Sequence, residues 1–123
     1  MEFIMTSLIF FFLLLVKHAI ADLALQARLT KGSKTNLWTS RLWIHCLDHT
    51  VLTFFIALLV VGIVEAIVLA LLDFVLHFVI DHVKHRIQIK NNVSVRSRKY
   101  WNYATVDQIA HYTCYLIIVL IAV

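Results

Sequence analysis

Four pairs of metal-binding residue types recur at one spacing in this chain, each inside a segment that is otherwise almost all apolar. They are His18/Asp22, His45/His49, His77/Asp81 and Asp107/His111. Residues four apart lie on one face of a helix, one above the other. A fold that accepts all four pairs needs four helices and a common place to put eight polar side chains. Ionisable groups in membrane-spanning segments are costly and point to function by default.

The setting for these pairs is membrane-like. The chain is 62% hydrophobic and 15% charged and has no proline in 123 residues. A soluble domain is about half apolar and a quarter charged. A membrane helix needs about 20 mostly apolar residues, so the length suits a single membrane domain, residues 1–123, of three or four spans. We expect helices over about 3–27, 41–61, 65–88 and 104–123. Gly62 and Glu65 mark the one plausible break in the apolar run from 51 to 80. A cleaved leader is disfavoured despite Ala19-Ile-Ala21, because Glu2 and no basic residue precede the apolar stretch.

Charge sets the expected orientation. All eleven Lys and Arg lie at 17, 28, 31, 34, 41, 84, 86, 90, 96, 98 and 99. In an antiparallel four-helix bundle the 28–40 and 89–103 loops share one side and, with their flanks, hold every one of them. The positive-inside rule makes that side cytoplasmic and places both termini outside. The basic residues are thus a topology signal, and no nucleic acid is expected as a partner. Trp38, Trp43, Trp101, Tyr100 and Tyr103 suit the interface on that side.

Depth then brings the pairs together. Counted from the outer helix ends, His49, His77 and His111 lie roughly 18 Å deep, and His45, Asp81 and Asp107 roughly 24 Å. His18 and Asp22 follow at roughly 22 and 28 Å. The eight residues fall in one layer of the cytoplasmic leaflet.

Imidazole and carboxylate are ligands of zinc, iron and manganese. Five His and three Asp suffice for one or two divalent transition metals, zinc ahead of iron or manganese. Two metals can clamp the attacking and leaving oxygens of a hydrolysis. Asp22, Asp81 and Asp107 are the candidates for the general base. Gln26, Asp73, Lys84 and Gln108 are expected around the ligands: Gln26 and Gln108 as hydrogen-bonding partners, Asp73 orienting His77 or protonated, and Lys84 binding an anion or snorkelling to the headgroups. Cys46 and Cys114 read as small buried residues, and His82, His85 and Asp48 as lying outside the cluster.

These motifs resemble a family of small bacterial and phage membrane proteins, domain of unknown function 3307. That family's pattern is H-x-x-x-D with a nearby Gln, then H-x-x-x-H, H-x-x-x-D followed by Lys, and D-Q-x-x-H. Here it reads His18-Ala-Ile-Ala-Asp22 with Gln26, His45-Cys-Leu-Asp-His49, His77-Phe-Val-Ile-Asp81 with Lys84, and Asp107-Gln108-Ile-Ala-His111. Leu23 departs from it, where an aromatic is expected. The resemblance covers nearly the whole chain. It implies a multi-pass protein of the bacterial inner membrane, or of a host membrane if phage-encoded, and it gives no activity.

The function expected from the residues is a metal-dependent hydrolase acting on a lipid-linked or membrane-presented substrate, lipid or protein. The alternatives are a structural metal site in a non-enzymatic protein that binds a host partner, and an ion or proton conductor. A conductor would require an oligomer, which is possible for any of these readings.

Overall fold

The computed structural model describes residues 1–25 and 40–123; of residue 40 only the backbone is described. Gln26 and Trp38, and nearly all of the first basic loop, lie outside the described residues. The described residues form four α-helices: α1 Glu2–Ala19, α2 Ser40–Ala57, α3 Ile63–Lys90 and α4 Arg98–Ala122. The described residues form no strand.

Local chemistry explains the boundaries. With no proline to remove a backbone donor, nothing interrupts the 28 residues of α3. A short turn follows Ala57, and Gly62 in extended conformation starts α3. The break expected at 62–65 thus falls slightly earlier. Asn92, with φ of 47°, reverses the chain after α3; asparagine tolerates that left-handed region better than most residues.

The start of α4 corrects the expectation of 104. Ser97 Oγ accepts a hydrogen bond from the Tyr100 backbone N–H at 3.2 Å, capping a helix that begins at Arg98. Residues Arg98–Tyr103, read from sequence as loop, are the first turns of α4. Past Ala19, α1 widens into a π-helical segment, Ile20–Leu25. Such segments are rare and often mark functional sites. This one carries Asp22.

Among the described residues, three helical segments are long and apolar enough to cross a membrane: Glu2–Leu25, Ile63–Lys90 and Arg98–Ala122. The 18-residue α2 is not among them; it carries Arg41, Asp48 and both His45 and His49.

The packing is inverted relative to a water-soluble protein. Phe12, Leu71, Val75, Val79 and Leu120 lie exposed, whereas Lys17, His18, His49, Asp73, His77 and His111 are each at most 2% exposed. An apolar exterior of this extent matches hydrocarbon, not water. One part of the interior is apolar: Phe10, Leu14, Ala57, Ala66, Leu69, Tyr115, Ile118 and Val119. The polar cluster lies beside it. α2 and α3 make the most extensive contact, and α1 packs on both α2 and α4.

Candidate metal centre

Each helix delivers its pair through the four-residue spacing, and the eight side chains meet. Asp22 is the hub of one part. Its carboxylate lies 3.1 Å from His18 Nε2, 3.3 Å from His45 Nε2 and 3.1 Å from His49 Nε2. Asp81 is the hub of the other, 3.2 Å from His111 Nε2 and 3.6 Å from His45 Nε2. Asp107 Oδ1 lies 3.5 Å from His111 Nε2. The His77 ring stacks between those of His49 and His111, with centroids 3.6 and 3.9 Å away.

Among the described residues, three groups have the geometry to hold a metal ion, their ligand atoms lying within 4.8 Å of one another: His18, Asp22, His49 and His77; His45, His77 and Asp81; and Asp81, Asp107 and His111. His77 belongs to the first two and Asp81 to the last two. The first and third share no residue, so seven of the eight can serve two ions at once. His45 then stands between the two carboxylate hubs.

The donor chemistry fits a metal. Buried nitrogens need partners, yet His77 Nε2, His45 Nδ1 and His111 Nδ1 have no hydrogen bond among the described residues. His77 Nε2, across its ring from the atom nearest Asp73, is a donor to spare for coordination; His45 and His111 instead turn Nε2 to the carboxylates and leave Nδ1 unpartnered among the described residues.

The surrounding residues settle several expectations. Gln108 Oε1 lies 3.1 Å from His18 Nε2, and Gln108 Nε2 donates to Asp22 at 3.5 Å. Lys84 does not snorkel away. It turns inward and donates to Asp107 Oδ2 at 2.9 Å, with Asp81 at 3.9 Å. Asp73 lies 3.8 Å from His77 Nδ1, as its position one turn away suggested, but its closest partners were not foreseen. Lys17 Nζ donates to Asp73 Oδ2 at 2.7 Å, and Thr53 Oγ1 donates to the same oxygen at 2.7 Å. Cys46 is fully buried and Cys114 partly so. His82 stacks on Phe78.

Sequence reasoning missed Lys17 and Tyr115. Lys17 Nζ also lies 3.1 Å from His49 Nδ1 and 4.6 Å from the centre of the Tyr115 ring. Tyr115 places its hydroxyl 2.7 Å from His18 Nδ1. Each therefore holds the far nitrogen of a candidate ligand, the usual task of groups that surround a metal site. A lysine alone in the middle of FFFLLLVKHA was the available signal for the first. A tyrosine one turn beyond His111 gave a weaker signal for the second.

The fold and the cluster together define a helical protein with membrane-length helices and a buried His/Asp group able to bind metal. The family model described as "Protein of unknown function (DUF3307)" matches residues 10–123. The chain belongs to that family. No curated protein and no solved structure matches it.

Proposed function

We propose that this is an integral membrane protein of four antiparallel spans, α2 included, with both termini on the non-cytoplasmic side, and that it is a two-metal hydrolase acting at the cytoplasmic leaflet. The bacterial inner membrane, or a host membrane for a phage-encoded chain, is the setting this reading assigns. The observation that carries it is the division of seven ligands into two disjoint groups with a histidine between them.

His18, Asp22, His49 and His77 offer four protein donors, the number that closes a zinc site. Asp81, Asp107 and His111 offer three, the number that leaves a catalytic zinc open to water or substrate. Metal bound there would lower the pKa of a coordinated water and polarise the scissile group. The residues then have distinct tasks. Asp81 or Asp107 would accept the water's proton as general base through the carboxylate oxygen it does not give to metal. Lys84 holds Asp107 in place and offers a cation to developing negative charge. Water oxygen joins the acyl carbon or phosphorus, the ester, amide or phosphoester bond breaks, and the proton passes to the leaving group.

The substrate is lipid-linked or membrane-presented, because the cluster is enclosed by helices whose outer faces are apolar. Zinc is favoured over manganese by a histidine-rich first group, and over iron by a donor count that completes a tetrahedron. An ion or proton conductor is disfavoured, since Phe10, Leu14, Leu69 and Ile118 close the interior beyond Thr53 and Asp73. The second reading is a structural metal in a non-enzymatic protein that docks a partner, favoured by the four-donor group.

The test is a product assay. Zinc-loaded protein in lipid vesicles is incubated alone, with chelator, and as His111→Ala, and released acyl chains and headgroups are measured by mass spectrometry. Product from the loaded wild type alone is expected. Unfolding on chelation with no product from any lipid would replace this reading with the structural one.

A further inference from the structure

A groove of about 270 Å³ runs between α3 and α4 on the outer face of the molecule. Val79, Val83 and Ile87 on one wall face Val106 and Ala110 on the other. Its walls are apolar, and Val79, Val83, Ile87 and Val106 are all exposed. Both helices are of membrane-spanning length and apolarity, so in a bilayer the groove opens to hydrocarbon. Lipid tails cover the whole exterior of such a protein, so an apolar groove alone would mean little.

Two charged residues beneath an almost wholly apolar lining make it different. Lys84 and Asp107 are the charged residues that line it. Asp107 belongs to the three-donor group with Asp81 and His111. Lys84 spends one donor on Asp107, and its side chain is still 31% exposed. An ammonium carries three donors. The groove therefore runs beside one residue of the three-donor group and beside a partly exposed lysine. Its far end, at Ile87 and Tyr103, lies where Arg86, Lys90, Arg98 and Lys99 are exposed around the ends of α3 and α4. Such basic clusters attract anionic lipid headgroups.

The dimensions suit one chain. Residues 79 to 87 of a helix span about 12 Å, and the volume lies just below the roughly 300–1,000 Å³ of sites that enclose drug-sized ligands. We propose that this groove seats one acyl chain of an anionic phospholipid, with the chain along Val79, Val83 and Val106 and the headgroup phosphate at Lys84. The groove is then the substrate subsite of the hydrolase proposed above, and its assignment as a substrate subsite rests on that reading. The substrate class is an anionic phospholipid, presented sideways from the leaflet.

The probe is an equimolar mixture of phosphatidylglycerol and phosphatidylcholine. Zinc-loaded protein is reconstituted in vesicles of that mixture, extracted in mild detergent, and examined by native mass spectrometry for retained lipid and by elemental analysis for zinc. The wild type is expected to retain phosphatidylglycerol at least tenfold over phosphatidylcholine. Val83→Trp, which fills the groove from a lipid-facing position, is expected to retain neither while keeping its zinc. Ala110→Leu, on the opposite wall, gives the same result if Val83→Trp fails to fold. Lys84→Gln is expected to keep lipid and lose the headgroup preference.

Retention by both groove-filling variants at the wild-type level would overturn the proposal, as would a wild type with no headgroup preference. A wild-type dimer that Val83→Trp converts to monomer would overturn it in favour of a second copy of this chain. Selective lipid retention without zinc would keep the groove as a lipid site and sink the metal reading, so the two can fail separately.

Discussion

Each of the four helices changes character within a single turn. Leu14 gives way to His18, Ala57 to Thr53, Leu69 to Asp73, and Tyr115 to His111. On one side of that line the interior is Phe10, Leu14, Ala57, Ala66, Leu69, Ile118 and Val119, packed without a polar group except the Tyr115 hydroxyl. On the other side it is histidine, aspartate and lysine, buried as deeply. The apolar half needs only shape. The polar half needs every donor and acceptor matched, or a ligand to match them. Equal burial at such unequal cost indicates that the apolar half holds the helices together, and that the polar half is kept for what it binds.

The difference can be broken most strongly at the seam. Lys17→Met leaves Asp73 buried without its ion partner, and we expect a loss of about 3–5 kcal/mol in stability, read from unfolding in mixed detergent. Lys17→Met combined with Asp73→Leu should recover most of it, because removing both charges is far cheaper than stranding one. An equal loss in the double variant would mean that the pair is not the unit.

In the apolar half, Phe10→Ala should cost about 3 kcal/mol through the cavity it leaves, with zinc per protein unchanged. His77→Ala should do the reverse: a smaller loss of stability and a large loss of zinc. If both variants lowered zinc in proportion to stability, the two halves would not be separable.

Acid should act only on the polar half. Protons compete with metal for imidazole and carboxylate, so bound zinc should be released in acid while helicity is retained. Zinc content measured after equilibration at stepped pH, alongside circular dichroism, checks this. Zinc lost only where helicity is lost as well would mean that the two halves do not respond separately.

The smallest effect is expected outside both halves. Ser97→Ala removes the cap of α4 and should cost about 1 kcal/mol, with zinc and lipid retention unaltered.

Much of this division was legible in the sequence, and the reasons are specific. A His/Asp pair four residues apart stands out against an apolar run, and counting the rise per residue brought all four pairs to one layer. The same count hid the Lys17–Asp73 pair. It places their backbones roughly 21 and 12 Å from the outer ends, and only the reach of the lysine stem closes the gap. Lys84 was expected around the ligands with its direction left open for a related reason: a long flexible side chain near a helix end can turn out or in, and the two carboxylates that draw it inward come from different helices. Tyr115 looked like core because its ring is core, while its hydroxyl serves His18. The early start of α4 depended on one serine cap ahead of a basic aromatic stretch. Gln26 lies outside the described residues, so its place beside His18 and Asp22 stays an expectation.

The central claim is that the converging His/Asp cluster holds metal. Purified wild-type protein, equilibrated with zinc at neutral pH and freed of loosely bound ion, should carry two zinc per chain by elemental analysis. His49→Ala with His18→Ala should carry one, and adding His111→Ala should carry none. A wild type without zinc, iron or manganese, or variants that bind as much as the wild type, would contradict the account.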